Sequence, residues 1–171
     1  MSDAKKHLRV YHNDDDAEIE AFIYAATAMI EGPTGIGIAL SPQTWRLSLD
    51  YFPCEIVVPL GPVTSIVSVS FKDAAGADQP VSGLRYDVDA QPLKIWPARD
   101  TSWPEVYCEP GAVKVTFECG YEELPADLRA AVLLLVGHLY ENREAVADVK
   151  MAELPMGVAT ILERYRVGRV A

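Results

Sequence analysis

The sequence predicts an α+β fold: a helical core built from both ends of the chain, with a small antiparallel β domain inserted between them. Three observations carry this reading. Apolar residues recur with a helical period from Ile19 to Ile30 and again from Leu128 to Leu139. Between about Gln43 and Cys119 the period changes to two. Eight prolines from Pro53 to Pro110 punctuate that middle stretch. The expected organisation is N-terminal helices in 1–41, an inserted β-rich region in 42–121, and C-terminal helices with a tail in 122–171. The helical parts are expected to share one core.

In chain order, Ser2 or Asp3 is placed to cap a short helix from about Ala4 to Val10. Asn13 is placed to cap a second, with Asp14, Asp15 and Asp16 in its first turn, where the helix dipole favours negative charge. Ile19, Phe22, Ile23, Ala26 and Ile30 fall on one face of that helix. Gly32-Pro33 stops it, and Gly35 and Gly37 follow.

The strands come next. Trp45, Leu47, Leu49 and Tyr51 alternate with Thr44, Arg46, Ser48 and Asp50. Val67, Val69 and Phe71 alternate with Ser68, Ser70 and Lys72. Val113, Val115, Phe117 and Cys119 alternate with Lys114, Thr116 and Glu118. Each run reads as a strand with one wet face, the habit of antiparallel sheets. Shorter strands are expected at Glu55–Val58, Leu84–Val88 and Leu93–Trp96, and Asp73–Asp78 reads as a hairpin tip. Five or six short strands in roughly 75 residues make a small sandwich or barrel.

Pro125 opens the next helix. Leu128, Ala131, Val132, Leu135, Val136 and Leu139 form one apolar face, while Ala130, Leu133 and Leu134 make the other side apolar too. A helix apolar nearly all round is buried on more than one side, and in a chain this small a second subunit is the natural cover. Glu141–Glu144 ends the helix, a mobile stretch to Glu153 is expected, and Pro155 opens a last helix with Val158, Ile161, Leu162 and Tyr165 inward. The tail from Arg164 to Arg169 is basic.

The chain has 171 residues, half of them apolar, and a formal net charge of −10. At this length folding buries roughly 70% of the unfolded surface, so a core needs no disulfides. The acidic balance argues against gripping DNA, which takes a basic face. It is compatible with a wall past which DNA slides. No apolar leader follows the N-terminal residues, and no run approaches the roughly 20 apolar residues of a membrane span, so a soluble protein made in the cytoplasm is expected. Cys54, Cys108 and Cys119 are irregularly spaced and read as thiols buried in strands.

Candidate chemistry is thin. Asp14–Asp16 lacks the alternation and glycine of a calcium loop. Gly32–Gly37 lacks the Gly-Lys-Ser/Thr of a phosphate loop. His7, His12 and His138 are too scattered for zinc, and His138 reads as a packed or interface histidine. Asp100 and Glu105, flanked by Trp96 and Trp103, are the one set that suggests a small hydrolytic or carbohydrate-active enzyme. Loop residues covering a sheet edge explain them as well. The residues make no positive case for catalysis, a cofactor or a metal.

Four segments do stand together in order. The first is the helix ending in Ile30-Glu31 with Thr34-Gly35. The second is Gln43-Thr44-Trp45, then Asp50–Pro53 and Ile56–Val63. The third is Val113–Phe117 with Gly120-Tyr121. The fourth runs from Leu124 through His138–Glu144 and closes with Pro155–Arg166. From about Leu8 to Arg166 the chain resembles the head–tail connector (adaptor) proteins of tailed bacteriophages, the gp6-like and phiE125 gp8-like families, with relatives in prophages and gene transfer agents. It departs from them at Ile36-Gly37-Ile38, where members carry a bulky or basic residue after the Thr-Gly.

The resemblance implies a non-enzymatic virion protein of the head–tail neck, assembled in the host cytoplasm. It implies a homo-oligomeric ring, commonly of twelve subunits, beneath the portal protein. Such a ring extends the channel for double-stranded DNA without binding it and docks the next neck or tail (stopper) protein. Another neck or tail-completion component is the alternative. On this reading Leu133, Leu134 and His138 lie at the subunit interface, and Arg164, Arg166 and Arg169 belong to a tail that orders on contact with the portal.

Overall fold

The computed structural model describes residues 1–107, 109–142 and 156–167. Among them lie α1 (Ser2–Leu8), α2 (Asp16–Ile30), β1 (Gln43–Leu49), β2 (Ile56–Val57), β3 (Val63–Lys72), β4 (Asp78–Pro80), β5 (Arg85–Tyr86), β6 (Lys94–Trp96), β7 (Val113–Cys119), α3 (Ala126–Glu141) and α4 (Met156–Glu163). The fold is α+β. The chain forms two compact units: residues 1–36 with 123–166, and residues 37–122 joined by Val167.

The first unit is helical. α2 packs on α3, and α3 also packs on α1 and α4. Ile19, Ala26 and Ile30 of α2 are fully buried, as are Leu128, Ala131 and Val136 of α3 and Val158 of α4. Each large side chain so buried contributes about 1.5–3 kcal/mol. The predicted faces of α2 and α3 are therefore the core. Phe22 meets Tyr140 edge-on at 6.4 Å, and the Tyr140 hydroxyl donates to Asp15 Oδ2 at 2.5 Å.

The helix starts differ from expectation. α1 begins at Ser2, so Ser2 and Asp3 lie inside its first turn and no side chain caps it. Arg9, at φ 58°, closes it in the left-handed conformation. α2 begins at Asp16 rather than after Asn13, and its cap position, Asp15, makes no side-chain cap bond. The Asn13 side chain is engaged elsewhere: its Oδ1 accepts from Lys5 Nζ at 2.8 Å. That ammonium also pairs with Asp16 at 2.6 Å. The acidic triplet thus sits at the helix start, as the dipole favours, with one lysine fixing it.

The second unit is built from two antiparallel sheets, β1-β7-β3-β4 and β2-β6-β5. β7 is central, with Trp45 opposite Phe117, Leu47 opposite Val115 and Leu49 opposite Val113. Val113, Val115, Phe117 and Cys119 are buried while Glu118 is exposed, so the period-two pattern holds. Ile56, Val58, Leu93 and Ile95 share a core with Val69, Val115 and Phe117.

Several expectations for this unit are corrected. Val67 is 55% exposed rather than inward. The register slips between Ile66 and Ser68, and a bulge there turns one residue out of the alternation. Tyr51 lies beyond the end of β1 and is exposed. β4 is a strand not anticipated from the pattern, because all three of its residues are exposed and only the end of β3 orders them. The tip before it is held by Asp73, whose Oδ1 accepts from the Ala75 and Ala77 amides at 2.9 and 3.0 Å. The Gln79 side chain, which donates to Oδ2 at 2.8 Å, is the leading cause that holds the Asp73 carboxyl below its usual pKa. Cys119 is buried in a strand as expected, but Cys54 is exposed in the connection before β2, and Cys108 lies outside the described residues.

Gly120 closes β7 at φ +113°, and a Cβ there would stand 2.0 Å from the Ser41 carbonyl oxygen. Its amide donates to the Pro62 carbonyl at 2.9 Å. Backbone on two sides leaves no room for a side chain.

Candidate functional site

The surfaces left to solvent follow from these helices. On α3 the core side is filled by Leu128, Ala131, Leu135 and Val136. On the far side Ala130 is exposed and Leu134 is 41% exposed, while Leu133 and His138 are half-buried. His138 stands one turn before the helix end. Its carbonyl accepts from the Asn142 backbone amide at 3.1 Å and from the Asn142 side chain at 2.8 Å. Within its own unit, α3 therefore leaves apolar surface uncovered, centred on Ala130 and Leu134.

The C-terminal residues are more committed than the sequence suggests. The Tyr165 hydroxyl donates to Asp127 Oδ1 at 2.7 Å, and the Arg164 guanidinium lies 3.6 Å from Oδ2. Asp127 also accepts from the Leu128 amide at 3.0 Å. The Tyr165 hydroxyl is the main reason that the Asp127 carboxyl is held below its usual pKa. Arg166 pairs with Glu163 at 3.0 Å. Both arginine side chains remain substantially exposed. Arg169 and the expected mobile stretch to Glu153 lie outside the described residues. Within the basic tail expected from Arg164 to Arg169, one of the described residues is buried: Val167 is 5% exposed. Its side chain lies against the Cα positions of Gly37 and Gly61.

The tryptophan region is a packed cluster. Trp103 stacks on Phe52 with ring centroids 4.6 Å apart and planes 3° from parallel, and Phe52 tilts against Phe71 at 5.9 Å. Asp100 and Glu105 are both exposed. Among the described residues, no group of three or more His, Cys, Asp or Glu could hold a metal ion. A depression whose lining includes Gln43, Thr44, Ser65 and Gly120 carries two carboxylates, Glu122 and Glu118, the second of which already accepts from the Ser65 hydroxyl at 2.8 Å.

One surface escaped the sequence reading. The outward side of α2 exposes Tyr24, at 68%, together with Met29, Ala21, Ala25 and Ala28. The signal was present: no charged residue occurs from Ala21 to Ile30.

Fold and surfaces together define the class: an α+β chain with a helical unit, an inserted antiparallel β unit, and apolar helix surface facing solvent. The family described as phage gp6-like head-tail connector protein matches residues 107–166. A chain in the neck of the native gene transfer agent (GTA) particle, solved with C12 symmetry, is 31% identical at a TM-score of 0.74, with 99% of this chain and 89% of that one covered. A chain in the virion of the native GTA particle is 29% identical at 0.78, and one in the neck of the empty particle, solved with C6 symmetry, is 29% identical at 0.77. For both, 99% of this chain and 90% of the other are covered. No curated protein matches the chain. The chain belongs to the head–tail connector family.

Proposed function

We propose that this protein is a structural subunit of a virion neck. Copies assemble as a ring beneath the portal protein, extend the channel for double-stranded DNA, and present a surface to the next neck or tail protein. The observation that carries the proposal is the likeness, over 99% of the chain, to subunits of necks solved with C12 and C6 symmetry. The subunit number favoured is twelve.

The chemistry is consistent with this role. Side-by-side contacts that close into a ring need surface left over after the monomer has folded. The exposed Ala130 and Leu134, with Leu133 and His138 beside them, supply it on α3. The net charge of −10 suits a channel wall that repels phosphate. Arg164, Arg166 and Arg169 form the docking end toward the portal. There, Arg164 would keep Asp127 as a partner or exchange it for an acid on the portal. The role is structural, with no catalytic step.

Electron microscopy of the purified chain mixed with its portal tests the proposal. A ring of this chain capping the portal is the expected result. Absence of any ring or portal complex at high concentration counts against it. Truncation after Val167 tests the last residues separately: the monomer stays folded and portal binding weakens, whereas unchanged binding removes Arg169 from the docking surface.

A further inference from the structure

We infer that the outward face of α2 is the second half of the subunit contact, the surface onto which the α3 face of the neighbouring copy docks. This rests on the ring assembly proposed above. A ring with cyclic symmetry is built from heterologous contacts, in which two different patches of one protomer meet across every boundary. One apolar patch is therefore not enough. α3 offers Ala130 and Leu134; the helical unit must offer a complement.

α2 is that complement on three grounds. Its inward residues Ile19, Ala26 and Ile30 are fully buried, yet its outward residues Ala21, Tyr24, Ala25, Ala28 and Met29 are apolar and exposed. A surface helix with one buried face normally turns charge to water; this one carries none after Glu20. Second, Tyr24 has the shape of an interface anchor. Large amphipathic aromatics dominate contact energetics, and the alanines around it let a partner helix approach closely. Third, the charges at the rims are opposite. No lysine or arginine occurs between Arg9 and Arg46, and the rim of the α2 face carries Asp14 and Glu20, with Lys5 of α1 reaching Asn13 and Asp16 at the helix start. The α3 side instead exposes Arg129 and Arg164, which stand 3.7 Å from Asp3 and 3.6 Å from Asp127 of their own chain and keep most of their surface in solvent. An acid-rimmed apolar face and a base-bearing apolar face attract each other and disfavour pairing of like faces. The occupant of α2 is thus a second copy of this chain.

Cross-linking in the assembled ring tests this. Cys54 and Cys108 are changed to Ser, and Tyr24→Cys and Leu134→Cys are introduced together. A short bis-maleimide reagent is then applied to the chain assembled on its portal. The expected result is a ladder at multiples of the 18.8 kDa chain, absent from either single-cysteine variant. Dimers from Tyr24→Cys alone would show α2 meeting α2 and overturn the inference. So would a cross-link from Tyr24→Cys to the portal, or no cross-link in the double variant. A second readout separates the two claims. Tyr24→Glu, at an exposed site that leaves the fold intact, abolishes rings. If rings persist with Tyr24→Glu but are lost with Leu134→Asp, the α3 contact stands and the α2 contact is overturned. If both variants form rings, both are overturned.

Discussion

The Tyr165 hydroxyl donates to the Asp127 carboxylate at 2.7 Å across 38 positions of sequence. It ties the residues after α4 to the first turn of α3. The same carboxylate accepts from the Leu128 amide and stands beside Arg164. One acid thus serves as helix-start anion, hydroxyl acceptor and ion-pair partner.

A pH dependence follows. Asp127 is held below its usual pKa chiefly by Tyr165, so its contribution is fully present above the unfolded carboxyl value of about 3.9. It is lost as pH falls below that value and through the lowered one. Tyr165→Phe moves the Asp127 pKa upward, and the variant melts at a lower temperature than the parent at pH 7. The gap between the two narrows below about pH 4. Carboxyl NMR titration together with thermal melts at pH 7 and pH 3 checks both. An unshifted Asp127 pKa in the variant would remove Tyr165 from this role.

Two adjacent leucines should behave oppositely. Leu135 is 1% exposed and Leu134 is 41% exposed. Leu135→Asp buries an unpaired carboxylate at a cost of several kcal/mol, comparable with the about 5–15 kcal/mol of a whole domain. The chain should fail to fold. Leu134→Asp should leave the circular dichroism spectrum unchanged and the unfolding free energy within about 0.5 kcal/mol of the parent, as surface changes do, while rings are lost.

At Gly37 the φ of +80° and the closeness of Val167 act together: a Cβ there would stand 3.0 Å from Val167 Cβ and 3.2 Å from the Pro59 oxygen. Gly37→Ala should cost about 1–2 kcal/mol from the left-handed backbone alone, read as a fall in the urea midpoint. Adding Val167→Gly removes the contacting Cβ but not the left-handed backbone conformation, so the coupling between the two changes should recover only part of the Gly37→Ala cost. Full rescue would mean that the backbone term is negligible.

Asp100→Ala with Glu105→Ala should leave folding and ring assembly unchanged. Both side chains are exposed beside a packed Trp103–Phe52 stack. Loss of particle assembly or infectivity in this double variant would give that region a role that the connector reading does not.

Much of the fold was legible because burial leaves a period. Ile19, Ala26 and Ile30, and Val113, Val115 and Phe117, are spaced as their elements require and are all buried. Features set by tertiary context left no such trace. The bulge that exposes Val67 depends on pairing with β7. The exposed β4 depends on β3. Asn13 fails as a cap because Lys5 reaches it from α1. Cys54 looked like a buried thiol only because the turn after β1 had no periodic mark. The candidate surfaces were half legible: the excess apolar residues of α3 were evident, whereas those of α2 looked like ordinary core until its outward side was seen.

The central claim, that this chain is a ring-forming neck subunit, is tested most directly by a cryo-EM map of the chain assembled on its portal. The account predicts a closed ring of copies, with Ala130 and Leu134 of each α3 covered by the neighbouring subunit. A map with the chain bound as separate monomers and that α3 face in solvent, or with no bound chain at all, would contradict it.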